Sequence, residues 1–278
     1  MVKLAVAAVF LFLLRKKMDN VGVIMKLSNR LQLLLTQIPA GSRLADIGSD
    51  HALLPTAAIE SGKCVFAVAG EVNPGPYQAA EKQVREAGLT DRISVRRGDG
   101  LEVIGPGEAD VITIAGMGGG LIASILDRGK DKLHGVSRLV LQPNVGEDTL
   151  RQWLLRHDWV LIDEHILEED GKIYEVLIAV PEGQTEAPAT NEILYQDYML
   201  DGGIVLSAKW LLRFGPCLIK RPTSVFHDKW RSELDKMGTI LRSLAKSELA
   251  SSEEKAEEIK NEMKFIEEVL ACLPKVKP

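Results

Sequence analysis

Hydrophobic positions along the chain fall into two regimes. From residue 27 to 38 they recur at intervals of three and four (Leu27, Leu31, Leu34, Leu35, Ile38), which predicts a helix; Ser28 can cap its start, and Pro39 with Gly41 ends it. Short apolar runs then alternate with helical stretches. Strands are predicted over 43–47, 64–69, 93–95, 111–115 and 138–142, and helices over 54–61, 77–87, 121–126 and 149–156. Runs over 159–167 and 173–180 are joined by Glu168-Glu169-Asp170-Gly171, and an Asp-Gly pair between alternating runs signals a hairpin. Five rounds of strand and helix closed by a hairpin predict an α/β fold. Its sheet is mostly parallel with right-handed crossovers and one antiparallel addition, a Rossmann-like arrangement.

Residues 181–190 are polar and proline-rich and read as a linker. Beyond them the period changes to heptad-like steps. One stripe runs Phe226, Trp230, Leu234, Met237, Leu241, Leu244, and a second runs Ile259, Met263, Ile266, Leu270, Leu273. With a turn placed at Ser251-Ser252-Glu253, these predict an antiparallel, coiled-coil-like helical hairpin. The expected division is an extension over 1–24, an α/β domain over 25–183, and a linker with a helical domain over 184–278.

The 278 residues carry a net charge of −5, with 46% apolar and 26% charged side chains, ordinary values for a globular protein. Net acidity does not suggest a nucleic-acid binder, but charge is segregated along the helical part. Lys209, Arg213, Lys220 and Arg221 lead a basic stretch, and an acidic one follows from Glu253. The basic stretch is either a solvated face or a phosphate-contacting surface. Three dispersed cysteines, Cys64, Cys217 and Cys272, suit a reducing cytoplasm. Residues 4–14 are almost wholly apolar and precede Arg15, Lys16 and Lys17. That run falls short of the about 20 residues a membrane span needs, so no stable membrane association is expected. No small-residue cleavage site follows it. The preferred reading is that Met25 is the true start; an amphipathic lead-in and a targeting segment are the others.

In a doubly wound sheet, ligands sit beyond the carboxyl ends of the strands, so those ends carry the candidate chemistry. The first is Asp46-Ile47-Gly48-Ser49-Asp50-His51, where Gly48 allows a tight turn and close backbone approach. It has one glycine where a dinucleotide fingerprint has three, which argues against a pyrophosphate cradle. S-adenosylmethionine has no phosphate and tolerates this. The second ends in Gly70-Glu71-Val72, and Glu71 lies 25 residues after Asp46, close to the spacing at which an acid reaches ribose hydroxyls. The third ends in Gly98-Asp99-Gly100, where Asp99 can accept from an adenine amino group. In the fourth, Ala115-Gly116-Met117-Gly118-Gly119, bare backbone can face a ligand and Met117 can pad the methyl-donor side. The fifth, Gln142-Pro143-Asn144, offers amides to a base edge. His51 has no second histidine or cysteine at ligand spacing, so no metal site is expected; it packs, touches the cofactor edge or serves as a base. A nicotinamide-dependent oxidoreductase and a non-catalytic RNA-binding module remain as alternative readings.

The strings LADIGSDHALLP, AVAGEVNPGP, IAGMGGGLI, LVLQPN and ILEEDGKIYEV, with FGP at Phe214 to Pro216, strongly resemble the bacterial tRNA (adenine-22-N1)-methyltransferase family. The resemblance runs from about Lys26 to the end. It implies a class I methyltransferase domain that binds S-adenosylmethionine, a C-terminal hairpin that helps hold tRNA, and methylation at N1 of adenine. Carried over residue by residue, it implies a catalytic role for Asp50 and cofactor contacts at Gly48, Ser49, Glu71, Asp99, Gly100 and Gly116. Asp46, His51, Val72, Ala115 and Met117 complete the expected cofactor set. Gln142, Pro143, Asn144, Lys209, Arg213, Lys220 and Arg221 form the expected tRNA set.

Overall fold

The computed structural model describes residues 27–184, 190–245 and 250–274. The expectations for residues 1–24 and for most of the linker lie outside these. Helix α1 (Asn29–Gln37) starts at Ser28, whose hydroxyl accepts from the Leu31 amide. It leads into β1 (Ser42–Ile47), α2 (Leu53–Glu60), β2 (Cys64–Glu71), α3 (Pro74–Glu86), β3 (Ile93–Arg97), β4 (Val111–Gly118), α4 (Gly119–Arg128), β5 (Arg138–Val145) and α5 (Glu147–Arg156). Strands β6 (Trp159–Glu169) and β7 (Lys172–Pro181) then form the hairpin that Asp170-Gly171 signals; both turn residues have positive φ, 52° and 71°.

The seven strands form one sheet in the order β3-β2-β1-β4-β5-β7-β6. β1 to β5 are parallel and β7 is antiparallel to both its neighbours. Each central strand is apolar on both faces because helices cover both. Ala45, Ile112, Leu139 and Leu141 face one cluster with Ile122, Leu126, Leu150 and Leu154 from α4 and α5. Their sequence neighbours Leu44, Val111 and Val140 face the other, with Leu34, Leu54 and Ala80 from α1 to α3. Alternate residues point to opposite faces of a strand, so a continuous apolar run fills two cores at once.

The remaining described elements are α6 (Asn191–Leu194), β8 (Tyr198–Met199), β9 (Val205–Leu206), α7 (Ala208–Phe214), α8 (Ser224–Leu244) and α9 (Ala250–Cys272). Helices α8 and α9 lie antiparallel: His227 near the start of α8 meets the Pro274 carbonyl just past the end of α9, at 3.3 Å. Their stripes close over Leu211, Phe214, Phe226, Trp230, Met237, Ile266, Val269 and Leu273. The turn expected at Ser251-Ser252-Glu253 is already helical, because α9 begins at Ala250. The two-stranded β8–β9 pair was not foreseen; two residues per strand are too few for alternation to register.

A buried ion network joins the helical hairpin to the sheet. Arg151 of α5, fully buried, pairs with Glu164 (2.6 Å) and with Glu175. Lys229 of α8 pairs with Glu175 (2.5 Å) and Glu147 (2.6 Å). Glu164 also accepts the Cys217 amide at 2.8 Å. Burial works against charge on Arg151 and Lys229, but the facing carboxylates outweigh it and raise both pKa values. Gly215, the centre of the Phe-Gly-Pro triplet, has φ +87°, and a Cβ there would stand 2.7 Å from an Arg151 guanidinium nitrogen. Only glycine lets this backbone lie against the network.

Candidate active site

A cavity of about 530 Å³ opens over the carboxyl ends of β1, β2 and β4, within the size range of small-molecule sites. Its floor begins at Gly48, whose φ is +72° and whose missing Cβ would fall 2.2 Å from the Met117 methyl carbon. Asp46 is buried behind it and accepts the Thr113 hydroxyl. Burial pushes the Asp46 pKa up, while the Ser49 and Thr113 hydroxyls act in the opposite direction. The chain then turns through Asp50 and two successive left-handed residues, His51 (φ 58°) and Ala52 (φ 50°), before α2 begins. Such backbone is costly and concentrates at functional turns. It leaves the Asp50 carboxylate exposed on the cavity rim, 3.4 Å from His51 Nε2.

Glu71 ends β2. Its Oε1 accepts the Val72 amide (2.9 Å), the Asn73 amide (2.8 Å) and the Asn73 side chain (3.1 Å). These bonds fix the carboxylate and leave its second oxygen for a ligand. Asp99 lines the cavity but pairs with Arg128 of α4 at 2.7 Å. Both groups are about half exposed, and such pairs hold with little energy. At the carboxyl end of β4, Ala115, Gly116 and Met117 complete the wall.

Every residue expected at the cofactor lines this cavity except two. Ser49 is buried within the turn, and its amide donates to the Gly70 carbonyl. His51 lies outside the lining because its left-handed backbone carries the half-exposed ring away. The tRNA set is more scattered. Gln142 is fully buried and its amide is spent inside the protein: Oε1 accepts from Arg30 (2.5 Å) and from the Gly116 amide (3.1 Å), and Nε2 donates to the Pro143 carbonyl. It cannot offer itself to a base, and Pro143 is buried beside it. Asn144 is exposed and lines the cavity, though its amide nitrogen donates to the Gly116 carbonyl. Lys209 (3.8 Å) and Arg213 (2.9 Å) both reach Glu262 of α9, and Arg221 pairs with Asp163. The basic and acidic stretches therefore partly neutralise each other across α7 and α9. Among the four cations, Arg213 lines a cavity and Lys220 lies over the Tyr198 ring at 5.3 Å.

Arg30 and Tyr174 were missed. The Arg30 guanidinium lies 5.2 Å from the centre of the Tyr174 ring, and both line the cavity. No motif links residues so far apart in sequence. Among the described residues no cluster of histidine, cysteine and acidic side chains could hold a metal, and no helix is long and apolar enough to cross a membrane.

The strand order, the terminal antiparallel hairpin and the acid-lined cavity over β1, β2 and β4 define a Rossmann-like methyltransferase. A family model described as tRNA (adenine(22)-N(1))-methyltransferase matches residues 44–268. A tRNA (adenine(22)-N(1))-methyltransferase of Bacillus subtilis is 47% identical over 247 residues, covering 88% of this chain and 98% of that protein. The crystal structure of a B. subtilis tRNA methyltransferase superposes with a TM-score of 0.77 at 46% identity, covering 88% of this chain and 99% of that one. A Streptococcus pneumoniae protein assigned as a tRNA methyltransferase, solved with S-adenosyl-L-methionine, superposes at 0.73 with 39% identity, covering 88% of this chain and all of that one. This chain belongs to the tRNA (adenine(22)-N(1))-methyltransferase family.

Proposed function

We propose that this chain transfers a methyl group from S-adenosylmethionine to N1 of adenine 22 of tRNA, in the cytoplasm, with a catalytic domain over 25–183 and a helical domain over 184–278 that helps hold the RNA. The observation that carries the cofactor reading is the charge of the 530 Å³ cavity. Among the described residues its charged lining is Asp46, Asp50, Glu71 and Asp99 against Arg30, which is already engaged by Gln142 and Tyr174, while Arg128 from outside the lining pairs with Asp99. Acids outnumber cations around the cavity, which disfavours the pyrophosphate of a nicotinamide dinucleotide and favours a cationic sulfonium. That disfavours the oxidoreductase reading.

S-adenosylmethionine, when bound, supplies an electrophilic methyl carbon. Gly48 and Gly116 leave room for it against bare backbone. Glu71 holds ribose hydroxyls with its free oxygen, a charge-assisted pair, and Asp99 accepts from the adenine amino group. Val72, Gly100, Ala115 and Met117 close the wall around it. The target N1 carries its own lone pair, so no base is needed to expose the nucleophile. Methylation leaves the ring cationic. Asp50 on the rim stabilises that charge next to the exocyclic amino group and can take a proton from it. Much of the remaining acceleration comes from holding N1 in line with the methyl group.

Asp50→Asn tests the role. Calorimetry with S-adenosylhomocysteine is expected to give a Kd within twofold of wild type, while turnover of unmodified tRNA falls about 10²–10⁴-fold. Near wild-type turnover would remove Asp50 from the chemistry. A wild-type chain that binds the cofactor yet methylates no tRNA would leave it an RNA-binding module instead.

A further inference from the structure

A second cavity, of about 790 Å³, lies beside the cofactor pocket, between the β6–β7 turn and α8. Two residues line both cavities, Asn144 and Tyr174. Tyr174 sits on β7 opposite Leu167 and is half-buried. Its hydroxyl has no hydrogen-bond partner among the described residues, so the hydroxyl does not explain the side chain. Its ring is held from one side by Arg30, and Arg30 is held by the Gln142 oxygen that also accepts the Gly116 amide. The aromatic face at the junction of the two cavities is thereby tied to the loop that walls the cofactor pocket. The other aromatic residue lining the larger cavity, Trp230, is almost completely buried.

We propose that the Tyr174 ring is the platform on which the target adenine stacks as it passes from the larger cleft to the cofactor pocket. The inference rests on the methyltransferase reading above. A paired adenine hides N1, so the base has to leave its stack before reaction. An extruded base needs a flat surface to replace its lost neighbours, and an aromatic side chain supplies one for any base. Both cavities open on this ring, whereas the other shared residue, Asn144, has no flat ring. The cleft beyond it carries both signs: Lys172, Arg213, Lys229 and Lys236 line it with Glu147, Asp148 and Glu233, and Lys229 pairs with Glu147, Lys236 with Glu233 and Arg213 with Glu262. Lys172, for which these acids are not partners, is the cation placed to meet a phosphate beside the target while the base turns inward.

The test uses the full chain, unmodified tRNA and S-adenosylmethionine. Tyr174→Leu is expected to lower kcat/KM for tRNA about 10- to 100-fold, the loss of one stacked base. Any loss of S-adenosylhomocysteine affinity should be much smaller than that of kcat/KM, and the thermal midpoint should hold. Tyr174→Phe keeps the ring and should stay within twofold of wild type. With 2-aminopurine at the target position, binding to wild-type chain should change its fluorescence, and Tyr174→Leu should abolish the change while tRNA is still bound. Wild-type turnover in Tyr174→Leu, a parallel loss of cofactor affinity, or equal damage from Tyr174→Phe would each overturn the platform. Should Tyr174→Leu fail to fold, the 2-aminopurine signal of wild type and the activity of Tyr174→Phe decide: no signal change, or an inactive Phe variant, sinks it. If wild type methylates no tRNA, the underlying reading falls and the platform with it; an active wild type beside an equally active Leu variant sinks the platform alone.

Discussion

Replacing Gly215 by alanine adds one carbon and should loosen the joint between the two halves of the molecule. Two costs combine. At φ +87° an L-residue pays left-handed strain of about 1–2 kcal/mol. The new Cβ also falls 2.7 Å from an Arg151 guanidinium nitrogen and 2.9 Å from both Glu164 oxygens. Either the backbone shifts or the buried pair opens. Fully breaking such a pair costs about 3–5 kcal/mol, and a partial opening about half of that. The sum is about 2.5–4.5 kcal/mol, equivalent to a fall in Tm of about 5–18 °C for a chain of this size. Gly41 supplies the control: its φ is +83°, yet nothing lies within 4 Å of where its Cβ would be. Gly41→Ala therefore reports strain alone, about 1–2 kcal/mol. Thermal and guanidinium unfolding of both variants, beside wild type, isolates the contact with the network. S-adenosylhomocysteine affinity of Gly215→Ala should stay within twofold, because the cofactor cavity is elsewhere. If Gly215→Ala is no less stable than Gly41→Ala, the network does not bear on that glycine as argued.

Gly48→Ala should weaken S-adenosylhomocysteine binding about tenfold, about 1.4 kcal/mol, because its Cβ would drive the Met117 methyl into the cavity; unchanged affinity by calorimetry would show that Met117 swings clear. Thiol reactivity is predicted to split. Burial pushes the Cys64 thiol up to about 11 and the Cys217 thiol up to about 12, and only a thiolate attacks. At pH 7.5 a disulfide reagent should label neither in the native protein and all three cysteines after unfolding; rapid native labelling of Cys64 or Cys217 would contradict this.

The strand ends were legible because a parallel sheet forces its loops onto one edge. With the apolar runs over 43–47, 64–69 and 111–115 as parallel strands, Gly48, Glu71 and Gly116 have to meet. The Asp170-Gly171 turn was legible for a local reason, since that pair favours positive φ. What escaped depends on contacts that no spacing encodes. Gln142 reads as a polar residue at a ligand edge, but Arg30 arrives from α1 to occupy it. The basic run around Lys209 and Arg213 reads as a surface for phosphate until α9 folds back and brings Glu262 against it. Ser251 to Glu253 read as a turn by polarity, yet serine and glutamate also suit a first helical turn.

The oxygen of Gln142 has a consequence for the order of events. It receives Arg30, which braces the Tyr174 ring, and the Gly116 amide, which belongs to the cofactor wall. A ligand that shifts either donor changes the bond left to the other. Linkage then requires symmetry: whatever factor tRNA applies to cofactor affinity, the cofactor applies to tRNA. The equilibrium coupling is the same whichever partner arrives first, so a single measured factor describes both.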